Sequence, residues 1–278
     1  MSGTRDGLGD LEMTPTPSSS TRSSKKYKAT EEAVSKAFGT NGWKNVAIIL
    51  SVLIGSFFSA YLMNTARGVD VGSNNSIAVT IGAITTALFF GFGFFFIRLQ
   101  LDPIHTILNI VFFDEPIGRG CVIIVIQFLG RLLGSLVAHG QVGYVRFEDA
   151  AVIPDGGYTT FQVFLVEFML GLIIYIMHVG FSAISKENEV SLPTASILIG
   201  VATYFGQAIT YPISGASLNV FHWLCTNIAG SIGDSTQFWD NSWYVYPLAP
   251  LAAAFTVGVW FVVMKYLVAR ASTPYKSA

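Results

Sequence analysis

The chain has 278 residues, 52% of them hydrophobic and only 12% charged, with sixteen Lys and Arg against seventeen Asp and Glu. A folded water-soluble domain carries about twice that share of charge, so a soluble enzyme or a nucleic-acid-binding module is excluded. With two signs so nearly balanced, net charge says little about partners, and the distribution of the charges carries the information.

Residues 1–43 are rich in Ser, Thr, Gly, Pro and charge, with Thr14-Pro15-Thr16-Pro17-Ser18-Ser19-Ser20 near the centre. Such a segment buries too little apolar surface to offset its ordering entropy. It reads as a disordered cytoplasmic tail with a short surface helix over Glu31 to Phe38, and without an apolar run behind a basic start it does not read as a signal peptide. Beyond it, the stretches 47–63, 77–97, 121–139, 160–184, 192–211 and 244–264 each approach the ~20 residues that a spanning helix needs. Six crossings are therefore expected, the third carrying Arg131 and the fourth Glu167. Residues 271–278 form a short C-terminal tail.

Two further apolar stretches are too short to cross. One runs from Asp102-Pro103-Ile104-His105 to Phe113; the other, Asn219-Val220-Phe221-His222-Trp223-Leu224, follows the turn Pro212 to Ala216. Glu167 lies 52 residues before Asn219 and Ser51 lies 51 residues before Asp102, so the two halves, 44–139 and 159–268, are built alike. A displacement by three crossings inverts the second half. Interrupted apolar segments at corresponding places in two halves mark an inverted-repeat channel or transporter with its site near the bilayer midplane.

Cationic residues orient the chain. Seven Lys and Arg precede the first span, six more flank later spans on the same side, and only Arg67 and Arg146 fall in loops on the other. By the positive-inside rule both termini are cytoplasmic, with loops 64–76, 140–159 and 231–242 on the opposite face. Asn74-Asn75-Ser76 in the first of these is a glycosylation pattern at Asn74. Cys121 and Cys225 are too far apart in the pattern to suggest a disulfide, and nothing points to a metal or other cofactor.

Ser214-Gly215-Ala216-Ser217-Leu218-Asn219 resembles the approach to the second Asn-Pro-Ala box of the aquaporin and aquaglyceroporin family, and Asp102-Pro103-Ile104-His105-Thr106 resembles the first. Gln127-Phe128-Leu129-Gly130, Glu167 and Tyr246-Pro247-Leu248-Ala249-Pro250 are further marks, and the likeness covers residues 44 to 268. It implies an all-α membrane protein of six transmembrane helices and two re-entrant half-helices, with a channel domain over 44–270. It also implies a passive channel for water and small uncharged solutes such as glycerol or urea, assembled as a homotetramer in the plasma membrane or a vacuolar membrane.

In that family paired Asn side chains cap the half-helices and donate to a passing water, while the helix ends and a filter Arg oppose cations. The resemblance gives Asn219 that role and Asp102 a modified one, since an ionised Asp accepts, does not donate, and cancels part of the positive field. Val220 and Phe221 replace Pro and Ala, adding bulk, and His222 replaces the filter Arg with a switchable imidazole. Counting from the motifs places Gly82, Gln207 and Ala216 beside His222 in a selectivity filter wider than a strict water filter.

Blander roles compete with these. His139 and His178 read as hydrogen-bonded core residues, Arg131 reads as a structural brace that reaches for Glu167 or a loop carbonyl, and Glu167 reads as a buried anchor for loop backbone, although an intramembrane charge is a functional candidate by default. These ionisable groups keep two alternatives open: an ion- or proton-leaky channel or coupled transporter, and a poorly conducting structural relative. No phosphate-binding loop, paired catalytic carboxylates or activated nucleophile supports an enzyme. The topology has a direct test: protease added to intact cells should spare the segment before Lys44, and cleavage there without permeabilisation would reverse the assignment.

Overall fold

The computed structural model describes residues 32, 42–69, 101–142, 158–186, 192–215, 217–232 and 243–271. The expected span at 77–97, Gly82, Asn74, Ala216, almost all of the N-terminal tail and the residues after Ala271 lie outside the described residues. Among the described residues the elements are helical: α1 (Gly42–Val69), α2 (Pro103–Phe112), α3 (Ile117–Val142), α4 (Thr160–Lys186), α5 (Leu192–Ser214), α6 (Val220–Gly230) and α7 (Val245–Ala271).

Five of these are long and overlap the apolar runs anticipated for them, each extending a few residues past the run at one or both ends. The short segments fall where the sequence interrupts them. α2 starts with Pro103 at its first position behind the N-cap Asp102, whose backbone is extended (φ −121°). α6 starts behind Asn219, also extended (φ −131°), and runs on through Thr226 and Asn227 to Gly230, beyond the apolar stretch ending at Leu224. α5 carries through Pro212, so the chain reverses at Gly215, whose φ of 71° suits glycine, and not at the expected turn opening on Pro212.

Polarity is arranged inside out. α3 exposes Val125, Leu129, Leu133 and Val137, and α5 exposes Ile197, Val201, Phe205 and Ile209. Each set repeats every four residues and forms one apolar stripe suited to lipid. The opposite stripe of α3 buries Gln127, Gly130, Arg131, Gly134, Ser135 and Ala138. In lipid a polar group finds no water on the outside, so it turns to the bundle interior.

Helices pack pairwise, α1 on α3 and α4 on α7, with α5 on α4, while α2 lies against α3 and α7 and α6 against α3. Small residues permit both main crossings. A Cβ added at Gly130 would sit 2.7 Å from the Leu53 carbonyl oxygen of α1, and one added at Gly171 would sit 2.9 Å from Ala253 Cβ of α7. Close backbone approach of this kind is how membrane helices gain dispersion contact without a hydrophobic driving force. A polar thread joins the same region: Asn64 of α1 donates to Ser135 Oγ (2.9 Å) and accepts from Thr226 Oγ1 of α6 (3.0 Å).

Gly130→Ala should force α1 from α3, an overpacking cost of about 1–3 kcal/mol. Gly140, where an added Cβ meets nothing within 4 Å, serves as control. The unfolding midpoint in detergent should fall for Gly130→Ala and stay level or rise for Gly140→Ala; equal midpoints would show that the α1–α3 crossing does not depend on this contact.

Candidate functional site

The two half-helices meet N-terminus to N-terminus. Asp102 Oδ1 accepts from the Ile104 amide (3.1 Å), and Asn219 Oδ1 accepts from the amides of Phe221 (2.9 Å) and His222 (3.3 Å), so each cap satisfies donors that the first turn leaves free. Asn219 then reaches across: its Nδ2 donates to the Leu101 carbonyl at 2.7 Å, one residue before the other cap. The same carbonyl accepts from Arg131 Nη2 at 3.4 Å, and that nitrogen also donates to Ser59 Oγ at 3.4 Å.

Around this junction is a narrow cavity lined by Asp102, His105, Arg131, Tyr175, His178, Gln207, Ser217, Asn219 and His222, with Met63, Ile174 and Leu218 on its apolar side. Tyr175 donates its hydroxyl to Asp102 Oδ2 at 2.6 Å, so both carboxylate oxygens are engaged. The rings of His105 and His178 lie 4.4 Å apart at 46°. Arg131 is 2% exposed, and its Nε and Nη1 have no hydrogen-bond partner among the described residues.

Of the residues singled out from the sequence, Asp102, His105, Gln207, Asn219, His222 and Arg131 come together on this cavity. Pro103 is buried at the start of α2, and Ile104 packs into the core formed with Leu108, Tyr175, Val179 and Val257. Val220 packs against that same core, and Phe221 makes an edge-to-face contact with Phe128 of α3, centroids 5.4 Å apart. The bulk that these two residues add is thus spent on helix packing and does not face the cavity. Gly82 and Ala216, the other two positions expected beside His222 and Gln207, lie outside the described residues.

Arg131 and Glu167 do not reach for each other. Glu167, 1% exposed, gathers the loop before α6: Oε1 accepts from Ser214 Oγ (2.6 Å) and the Ser217 amide (3.0 Å), and Oε2 accepts from the Leu218 amide (3.0 Å). Those bonds hold Leu218 at a φ of 50°, a region that a side chain with a Cβ enters only when its surroundings impose it. The Tyr246 hydroxyl adds a bond to the Ser214 carbonyl at 3.2 Å. With Ser51 where a second Glu would stand, the first half leans on Arg131 and Asn219 at Leu101 instead.

Tyr175 and His178 line the cavity, the first not among the residues expected there and the second expected in the core. A signal was present: Glu167, Ile174, Tyr175 and His178 fall at offsets of seven, eight and eleven, one face of a helix. Once Glu167 is known to face inward, the others follow. Cys121 is exposed and Cys225 buried, its thiol 3.7 Å from the Phe128 carbonyl, and both are free.

Residues 43–261 match the family model for the major intrinsic protein family. The chain belongs to that family. Among curated relatives, Aquaporin A of Dictyostelium discoideum is 27% identical over 156 residues, 56% of this chain and 53% of the relative, so the match spans about half the length of each. Among solved structures, that of the aquaglyceroporin from Plasmodium falciparum superposes with a TM-score of 0.59 at 18% identity, over 78% of this chain and 93% of that one. The all-α aquaporin fold is shared, and against the Asn-Pro-Ala boxes of the major intrinsic proteins this chain carries Asp102-Pro103-Ile104 and Asn219-Val220-Phe221.

Glu167→Gln supplies one acceptor oxygen in place of two and turns an amide N–H₂ toward a backbone donor. Leaving one such buried donor unpaired costs about 1–3 kcal/mol. The variant should give a lower yield of folded protein and a lower unfolding midpoint than Tyr175→Phe, which removes a single hydroxyl; unchanged yield and midpoint would remove Glu167 from the loop's support.

Proposed function

We propose that this multi-pass membrane protein is a passive channel for water and small uncharged solutes of the glycerol or urea class. The observation that carries this reading is the junction itself: two capped half-helix N-termini abut a cavity with nine polar lining residues, inside helices whose outer faces are apolar. Such a place can trade the hydrogen bonds of a passing neutral molecule one at a time while the rest of the bundle stays dry. Family membership supports the class of activity. Within it, His222 and Gln207 are proposed as selectivity residues and Asn219 as a donor to the permeant through whichever amide hydrogen Leu101 does not take. The homotetramer and the cytoplasmic placement of both termini belong to the same reading, on the strength of the resemblance and of the charge distribution.

A second reading, proton leak, is favoured by one specific observation: Asp102 with Tyr175, and His105 with His178, put four titratable side chains on one cavity. Shrinkage of proteoliposomes under sucrose, glycerol and urea gradients, with proton entry followed on the same vesicles, separates the two. A neutral-solute channel should give fast water flux and faster glycerol or urea entry than protein-free vesicles, with no added proton entry. Proton entry that falls in Asp102→Asn would favour the second reading, and no flux above protein-free vesicles would leave only the poorly conducting relative.

A further inference from the structure

We infer that the half-helix junction is a binding site for a small monocarboxylate, with Arg131 as its principal donor. The inference rests on the channel reading only for the location of the cavity. The first support is charge. Each half-helix end contributes roughly half a positive charge, Arg131 adds one, and Asp102 removes one. With both side chains ionised the junction is left with a positive balance of about one charge, in a region where low dielectric magnifies every interaction. Asp102 is within electrostatic reach of Arg131, yet Arg131 forms an ion pair with no carboxylate among the described residues.

The second support is an inventory of donors and acceptors. Arg131 spends only Nη2, on Ser59 and Leu101, which leaves the single N–H of Nε and the two of Nη1 without a partner among the described residues, on a side chain 2% exposed that lines the cavity. His105 Nδ1 is in the same condition. Asp102, the acid group of the cavity, already accepts from Ile104 and Tyr175. The site thus holds three spare N–H donors on Arg131, with an unpartnered imidazole nitrogen of His105 that donates or accepts according to its tautomer, beside a carboxylate whose oxygens are both engaged. A ligand that completes it brings oxygen acceptors and one negative charge. A carboxylate does both, and its planar oxygens suit a planar guanidinium better than a spherical halide does. The cavity volume of about 10 Å³ is close to that of one water, so only the smallest acids, formate and acetate, are candidates, and their entry requires the lining side chains to move apart.

Acetate, with acetamide as its neutral isostere and chloride as a competing anion, makes the test direct. Detergent-solubilised wild type should unfold at a higher midpoint in acetate than in chloride or acetamide at equal osmolarity, a binding readout independent of transport. In proteoliposomes equilibrated with the same solutes on both sides, acetate should slow sucrose-driven water efflux and acetamide should not. Arg131→Gln should weaken acetate roughly tenfold or more, the factor for one charge-assisted hydrogen bond. Asp102→Asn removes the opposing charge and should strengthen acetate, and this opposite sign keeps the proposal testable if Arg131→Gln does not fold. A midpoint shift with no water flux in any vesicle would uphold the site while removing the channel reading. Equal effects of acetate and acetamide or of acetate and chloride, no midpoint shift in the wild type, or weaker acetate binding in Asp102→Asn would each overturn it.

Discussion

The Leu101 carbonyl is the point on which the described structure turns. It accepts from Asn219 of the second half and from Arg131 of α3. Two helix N-termini pointed at each other repel through their dipole ends and leave several amides each without partners. The caps Asp102 and Asn219 answer the second problem within each half. The bond from Asn219 to Leu101 answers the first, because it draws one half's cap onto the other half's backbone and offers an oxygen between the two positive ends. It thereby adds to the register of the two half-helices, which Tyr175 on Asp102 and Arg131 on Leu101 also hold, and fixes one part of the cavity wall.

That junction can exist only because the rest of the bundle lets it be buried. Glycines at the α1–α3 and α4–α7 crossings bring backbones close enough to shut out lipid, and the outer stripes of α3 and α5 satisfy lipid with side chains alone. Polar residues are then free to be spent inside. The α3 stripe shows the division of labour: Gln127 donates to Thr106 of the first half-helix (3.0 Å), Gly130 sets the crossing, and Arg131 reaches the junction. Three roles sit within five residues, all on one side of the helix.

The two halves solve one problem with different chemistry. In the second, a carboxylate collects three donors from an irregular loop; in the first, donors collect on a single carbonyl. A carboxylate offers up to four acceptor sites to a loop of backbone amides, whereas a guanidinium offers five donors and can oversupply the site it serves. The asymmetry leaves the first half with N–H groups beyond its structural needs, beside a cavity. Asp102, standing where an Asn would donate, is quieted by the Tyr175 hydroxyl from α4, so the departure in the first motif is compensated from the opposite half.

Apolar run length and the paired interruptions were enough to read an all-helical membrane protein and to locate both half-helix caps within a residue, because a helix in lipid must satisfy its own backbone and length then decides whether it spans. The roles of Asp102 and Asn219 as caps were legible too, since the N-cap preference is local chemistry. Which way side chains pointed was not. Phe221 looked like bulk in a pore and packs on Phe128; His178 looked like core and lines the cavity; Arg131 had either Glu167 or a loop carbonyl open to it and takes the Leu101 carbonyl, leaving Glu167 to anchor loop backbone as expected. Each of these depends on the rotation of one helix about its axis relative to its neighbours, and in α7 the apolar residues are spread so evenly that the sequence carries almost no facing signal. Contacts across tens of residues, such as Asn219 to Leu101 and Tyr175 to Asp102, settle that rotation. They exist only once the two half-helices and α4 have been brought together.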